Sequence, residues 1–428
     1  MSERTNMKRN YYIVVLIFLT FFVISFITNI LGALNPDVIQ SFSLSLTLAG
    51  LLPFAFFIAY GVLSIPAGML VEKYKERAIM VAAFIVAFAG ATLFSLFPHY
   101  LVFLISLFLM GAGMAMLQVA INPLLRVSGG EEHYAFNSVL AQLIFGGASF
   151  LAPLFLTYLI TSLSARSGQN AVKSIFSGLV PPSLHWTSLY WVFALIFLAM
   201  VVIIWLSKFP AVERKEDEIA GTWETHKNLF KRKTVRLFFI GIFAYVGTEQ
   251  GVSYWLSKFL QTYHGVNPLV GADIVGGFWG WMAVGGVLGL VLLKFFDSRR
   301  VLVGAVILAV TFLSIALFGT TNMSKFAFQG VGFALSVQWP IVFSLAMNSL
   351  ESHHGSFSGI LVTGIIGGAI IQVVIGWLGD TFGLRTGMFL IYLTLAYIFS
   401  VGIWAKPLIT NETISMKKKM KKEMATAK

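Results

Sequence analysis

One acidic side chain stands where acids are costly. In "FAYVGTEQGVSYWL", residues 243–256, Glu249 lies inside an apolar run that reaches past Leu260. A carboxylate at the centre of a bilayer-spanning helix costs roughly 2.5–3.5 kcal/mol on insertion scales. Glu249 is 13 residues beyond Arg236. At about 1.5 Å per residue this is roughly 20 Å into a hydrocarbon core of about 30 Å, too deep to snorkel. Asp37, Asp273 and Asp380 fall near the ends of their apolar runs, so Glu249 is the one deep acid. A desolvated carboxyl there has three uses. It can exchange a proton or bind a cation, it can contact hydroxyls of a ligand, or it can hydrogen-bond a neighbouring helix while protonated.

Amides supply most of the other polar groups inside apolar runs. The first run has Asn29, the fourth has Gln118 and Asn122 in "GMAMLQVAINPLL", and the fifth has Asn137 and Gln142 in "FNSVLAQLIFGG". Beyond Glu249 come Gln250, Gln338 with Trp339 in "SVQWPIVFSLAMNSL", Asn348 and Gln372. Gln118 and Asn122 are four apart and share a helix face. The Asn122-Pro123 step loosens helical hydrogen bonding, which is tolerated only beside protein or a wet cavity. Amides donate to and accept from hydroxyls, and aromatic faces cover the C–H side of a pyranose. The set therefore suits a neutral polyhydroxylated ligand better than an ion or a lipid. The competing reading of any single amide is a polar tie between helices.

The elements that must position these groups are membrane helices. The chain has 428 residues, 57% hydrophobic and 11% charged, where a soluble domain has about 25% charged. Runs long enough to span cover residues 11–34, 48–70, 78–97, 100–125, 136–161, 187–207, 236–262, 269–296, 300–320, 324–350, 357–379 and 386–405. They are continuously apolar rather than alternating, which predicts twelve transmembrane helices in an all-α protein and excludes a β-barrel. The first run is too long for a cleaved signal peptide and lacks its small-residue site. With no cysteine, disulfides, thiolate metal sites and cysteine nucleophiles are excluded.

The net charge of +12 is distributed by loop. Alternate assignment gives one side Arg4, Lys8, Arg9, Lys73, Lys75, Arg77, Arg126, the 208–236 stretch, Lys294, Arg299, Arg300, Lys406 and the tail; the other keeps Arg166, Lys173, Lys258, Lys325 and Arg385. By the positive-inside rule both termini are expected in the cytoplasm, in an inner or plasma membrane. The tail "MKKKMKK" is expected to touch anionic membrane lipid rather than nucleic acid.

"SKFPAVERKEDEIAGTWETHKNLFKRKTVR" separates six spans from six. The expected divisions are an N-terminal half 1–207, a linker 208–235, a C-terminal half 236–405 and a basic tail 406–428. A weak repeat supports them: "GMLVEKYKER" follows the second span and "GLVLLKFFDSRR" the eighth, matching Glu72 with Asp297. Two parallel six-helix halves describe a transporter that binds its substrate near the midplane. The charged glycine loop resembles the signature of the major facilitator superfamily, and by that resemblance Glu72 and Asp297 are gating residues. The alternative is a plain topological anchor.

The motifs also resemble a narrower family. "LQVAINP" with "LAQ…GASFLAPLF", "YVGTE", "WPIVFSLA" and "SGILVTGIIGGAIIQVVIGWLGD" are similar, in the same order, to the fucose–galactose–glucose:proton symporters. The resemblance implies uptake of a hexose-type monosaccharide by symport through alternating access, with no organic cofactor and with H+ or Na+ as coupling ion. Membrane acids of the fucose branch fall here at Gly32 and Gln118, so its proton route does not carry over. The glucose/galactose branch includes sodium-coupled members.

Other features are structural. Gly355 with Gly359, Gly364 with Gly368 and Gly285 with Gly289 form small-xxx-small spacings that predict close helix contacts. His353 and His354 fall in a loop and are expected to be solvated. "GAGMAM" and "GVSYW" lack the strand and the Lys-Ser/Thr end of a phosphate loop, and no Ser/His/Asp arrangement has credible spacing, so an enzyme is not expected. The expected site is lined by Asn29, Gln118, Asn122, Gln142, Gln250, Gln338, Trp339 and Gln372, with Glu249 for cation coupling, in a monomer. The rivals are a multidrug or other organic-solute:proton antiporter on the same fold, which calls for a greasier cavity, and a receptor or scaffold, for which no extramembrane domain is left over.

Overall fold

The computed structural model describes residues 10–129, 134–164, 171–176, 178–210 and 221–408. The described residues are helical with no strand. Before the linker come α1 (Tyr11–Thr28), α2 (Leu31–Phe42), α3 (Leu46–Leu96), α4 (Tyr100–Gly129), α5 (Tyr134–Ser164), the short α6 (Ala171–Phe176) and α7 (Ser188–Leu206). The linker holds α8 (Trp223–Lys231). After it come α9 (Lys233–His264), α10 (Pro268–Phe295), α11 (Ser298–Phe318), α12 (Thr321–Leu335), α13 (Gln338–Met347), α14 (His354–Thr363), α15 (Gly367–Phe382), α16 (Leu384–Met388) and α17 (Leu390–Trp404).

Among the described residues ten stretches are long and apolar enough to cross a membrane. Two more crossings complete the expected twelve. α3 has 51 residues, twice what one crossing needs, and it breaks at Lys75 (φ 68°, ψ 161°), a backbone region that only glycine enters easily. α9 has the length but is made too polar by the residues around Glu249.

Among the described residues four crossings are discontinuous, the twelfth only by the single turn residue Phe389 between α16 and α17. The first stops at Asn29 and resumes at Leu31, running on to Phe42 instead of ending at residue 34, because helix continues through Pro36 and Asp37 where hydropathy fades. The tenth is interrupted between Leu335 and Gln338, and the eleventh passes through a 3-10 turn at Gly364–Ile366. Broken helices at membrane depth are confined to places where protein or a cavity takes up the freed backbone groups.

Local chemistry sets the ends. Ser45 accepts from the Leu48 N–H at 3.2 Å, Asn267 from Leu269 at 2.9 Å with Pro268 opening α10, and Asp297 from Arg299 at 2.9 Å. Gly265, at φ 63°, closes α9. Packing within the first six crossings rests on aromatics: Phe94 stacks on Phe103 at 4.3 Å and meets Tyr190 at 4.8 Å. Two of the three small-xxx-small pairs lie at close contacts, with Gly364 against Ile242, Gly368 against the Phe57 ring and Gly285 against the Phe333 carbonyl, whereas Gly359 of the third has only ordinary contacts.

Helices before and after the linker meet along α2 and α9, α3 and α15, and α5 and α10. Below, the end of the bundle at which α7 stops and α9 begins is the linker end, and the opposite end is the far end.

Candidate functional site

Glu249 sits midway along α9, half-buried, with a partner one helical turn earlier. The Tyr245 hydroxyl donates to its Oε1 at 2.7 Å. The Gln250 amide nitrogen reaches its Oε2 at 3.4 Å and the Asn29 Oδ1 at 3.4 Å. Two N–H groups on one nitrogen can serve both acceptors.

Asn29 can be there because α1 ends on it. Its backbone N–H closes the last turn on the Ser25 carbonyl at 3.2 Å, and the chain turns before α2 begins. Its side-chain nitrogen donates to Ser149 Oγ at 2.8 Å. The Ser149 and Ser25 hydroxyls lie 2.5 Å apart, and both donate to the Phe145 carbonyl. A polar path thus runs from Tyr245 through Glu249 and Gln250 on α9 to Asn29 on α1 and Ser149 on α5. Gln250 and Asn29 are 8% and 4% exposed, so their hydrogen bonds are shielded from water.

An aromatic wall adjoins the path. The Trp339 ring lies 5.8 Å from that of Tyr245 and stacks on Phe343 at 5.9 Å. Trp339 is half-buried at the start of α13, beside the break in the tenth crossing.

The remaining expected residues divide. Gln118 is half-buried and partnered on α4, and Gln142 is exposed on α5 one turn before Phe145. The Asn122 side chain lies outside the described residues. Gln338 is fully buried and donates to the Ala334 carbonyl at 3.1 Å, spanning the break in its own crossing. Gln372 is fully buried with neither amide atom partnered among the described residues. Its backbone carbonyl packs where Gly50 of α3 has no side chain, which places it in the α3/α15 contact rather than in the Glu249 path.

Tyr245, Ser25 and Ser149 escape the sequence reading. The four-residue step from Tyr245 to Glu249 is a signal that could have found the first. The serines have none, because they act across α1 and α5, over 100 residues apart in sequence.

Glu72 is half-buried near the end of the second crossing and has a partner. Asp297 caps α11 and binds Arg299 at 3.2 Å, while Arg299 also donates to the Ala405 carbonyl. Burial alone pushes the Asp297 carboxyl up. The hydrogen bonds from Arg299 and the charges of Arg299 and Arg300 outweigh it and hold the group below the usual carboxylate range. Before the third crossing Glu76, one residue past the Lys75 break, is 4% exposed.

The far end holds acids that the sequence reading set aside. Asp380 of α15 accepts from the first two backbone N–H groups of α3, Leu46 and Thr47, at 2.8 Å each, and from the Thr47 hydroxyl at 2.5 Å. Thr157 of α5 donates to Asp273 of α10 at 3.2 Å. Asn35 donates to the Tyr254 carbonyl at 2.9 Å, and Tyr254 to the Ala49 carbonyl at 2.5 Å. All four links join a helix before the linker to one after it. Among the described residues no three His, Cys, Asp or Glu side chains gather as a metal site.

Known proteins match along nearly the whole chain. A glucose/galactose transporter of Brucella abortus is 31% identical over 409 residues, covering 94% of this chain and 96% of that protein. An L-fucose-proton symporter of Escherichia coli is 27% identical over 404 residues, covering 91% of this chain and 92% of that protein. The crystal structure of the E. coli fucose:proton symporter overlays with a TM-score of 0.67 at 26% identity, covering 93% of this chain and all of that one. The profile of the Major Facilitator Superfamily matches residues 17–365. With twelve helical crossings, a polar path joining the helices before and after the linker, and these matches, the chain is an integral membrane protein of the Major Facilitator Superfamily, a transporter and not an enzyme.

Proposed function

We propose that this protein carries a hexose-type monosaccharide across the cytoplasmic membrane by alternating access, in symport with a proton or a sodium ion. The observation that carries the reading is the path from Glu249 through Gln250 to Asn29. It ties the deepest acid to a helix on the other side of the linker. The names of the matched relatives support a sugar as cargo.

The geometry suggests how coupling works. Both Glu249 oxygens act as acceptors, one from Tyr245 and one from Gln250. A proton on Oε2, or a cation beside it, displaces the Gln250 amide, which is also the group that reaches Asn29. Charge neutralisation at Glu249 therefore loosens a bridge between residues 1–207 and 236–405, the two units that rock. Trp339 and Tyr245 offer ring faces to a pyranose, and Gln142 and Gln118 offer amides to its hydroxyls. Glu72 and Asp297 act as gating residues at the linker end. Clustered bases at that end support cytoplasmic termini, with the 406–428 tail on the lipid surface.

The test is transport in proteoliposomes by purified wild type and Glu249→Gln, with a panel of labelled hexoses, with and without sodium or a pH gradient. Gln keeps the shape and one acceptor oxygen but cannot exchange a proton or carry charge. Wild type is expected to accumulate a hexose under one of the two ion gradients; the variant is expected to lose accumulation and keep exchange. Wild-type accumulation by the variant sinks the coupling role, and no hexose exchange by wild type sinks the sugar.

A further inference from the structure

A lateral crevice of about 270 Å³ opens toward the linker end, away from Glu249, and the transport reading does not use it. It exists because α10 and α11 each pack along α12 but hardly touch one another. Leu288 and Leu292 of α10, Leu308 of α11 and Phe333 of α12 line it. Gly304 stands at its edge: a side chain there meets nothing within 4 Å, so the crevice is open space and not a packing seam. Leu288 and Leu292 are 48% and 45% exposed into a medium that must be hydrocarbon.

Its mouth is basic. Arg300, in the first turn of α11, lines the crevice and is exposed. Both oxygens of the adjacent acid, Asp297, are occupied by Arg299, so Arg300 has Asp297 as a neighbouring field and not as a partner. Lys294, Arg299 and Arg300 face a single acid over these residues. An apolar slot between membrane helices with an unneutralised guanidinium at the level of the loops is complementary to an acyl chain ending in a phosphate, and the surplus positive charge selects an anionic headgroup.

We propose that this crevice is a binding site for one anionic phospholipid, with an acyl chain between α10 and α11 and its phosphate on Arg300. The site stands independently of the cargo and coupling ion.

The experiment is native mass spectrometry of the full chain from bilayers containing equal phosphatidylglycerol and phosphatidylcholine of matched chains. Wild type is expected to retain phosphatidylglycerol over phosphatidylcholine by about fivefold, the ratio that about 1 kcal/mol from one basic residue supplies. Arg300→Gln should abolish the preference, and Gly304→Leu, which fills the slot, should lower retention of both lipids. Lys294→Gln, a neighbouring base outside the crevice, should change neither. A preference that survives Arg300→Gln, full retention in Gly304→Leu, or an equal loss in Lys294→Gln would overturn the site. Inorganic phosphate that abolishes the preference as effectively as added phosphatidylglycerol would mark an ion site without the chain and would also overturn it. If Gly304→Leu does not fold, the Arg300 and Lys294 arms decide.

Discussion

The contact between the helices before and after the linker is built from backbone at one end and from side chains at the other. At the far end Gly32 faces the Ser253 carbonyl, Gly50 the Gln372 carbonyl and Gly376 the Leu46 carbonyl. Toward the linker end Gly61 faces the Ile366 side chain, and Gly359 stands in loose contact with Ile65 and His226. Backbone against backbone has no rotamer to adjust, so that end is either seated or apart. Side-chain contacts give way by degrees. A carrier of this kind is shut at the far end by a discrete fit, while the linker end can slide.

The same substitution at both ends should separate the two designs most strongly. In Gly32→Ala the new methyl collides with a carbonyl that cannot move aside, and overpacking of about 1–3 kcal/mol opposes closure. Transport in proteoliposomes is expected to fall by roughly tenfold or more. Gly359→Ala meets only ordinary contacts at 3.6 and 3.8 Å and should stay within about twofold of wild type. Similar losses in the two variants would remove the distinction.

The next effect is at the Asp380 cap. It is a carboxylate from one side of the interface closing the N-terminus of a helix from the other, so it exists only while the far end is shut. Losing such a cap costs about 0.5–2 kcal/mol. Asp380→Ala should therefore shift the balance toward far-end-open forms by roughly two- to thirtyfold without ligand. Spin-label distances across the far end would report it; an unchanged distribution means the glycine fit alone holds the closure.

The smallest effect belongs to Asp297, whose hydrogen bonds stay within its own turn. Its carboxyl titrates below its unfolded value, so its contribution to stability is present above about pH 3.9 and is lost only as pH falls through the lower folded value. Asp297→Asn should lower the melting temperature slightly at neutral pH, and the gap from wild type should persist to pH 4. A gap that closes between pH 6 and 5 would contradict the Arg299 clasp.

Much of this was legible in composition and spacing. Twelve apolar runs, the charged divider after the sixth and the depth of Glu249 all follow from hydropathy and 1.5 Å per residue. The break before Gln338 has a signal in Pro340, which offers no N–H to the Ser336 carbonyl four residues earlier. The break at Asn29 has none, because no proline or glycine interrupts Asn29-Ile30, and the Asn29 side chain finds its partner, Ser149, on another helix. Gln372 and Asp380 show the same limit from opposite sides. One is an amide with the right chemistry that ends in a helix contact, and the other an acid dismissed as peripheral that bridges the interface. Residue type gives the chemistry available; which helix lies opposite decides its use.

The small linker helix α8 changes the mechanics of the tether. Thr222 caps it, His226 and Leu229 bury one face, Gly221 with φ 61° is pressed on Ser356, and Phe230 packs edge-on against Phe239 at 5.4 Å. Those partners belong to the helices after the linker. The chain length that connects the helices before the linker to α8 is therefore only the stretch between Leu206 and Gly221, roughly half of the charged divider read from the sequence. A short leash keeps the effective concentration of one unit at the other high and caps how far they can swing apart. Lengthening that stretch with flexible residues slackens the stroke, whereas α8 itself is cargo moored to one bank.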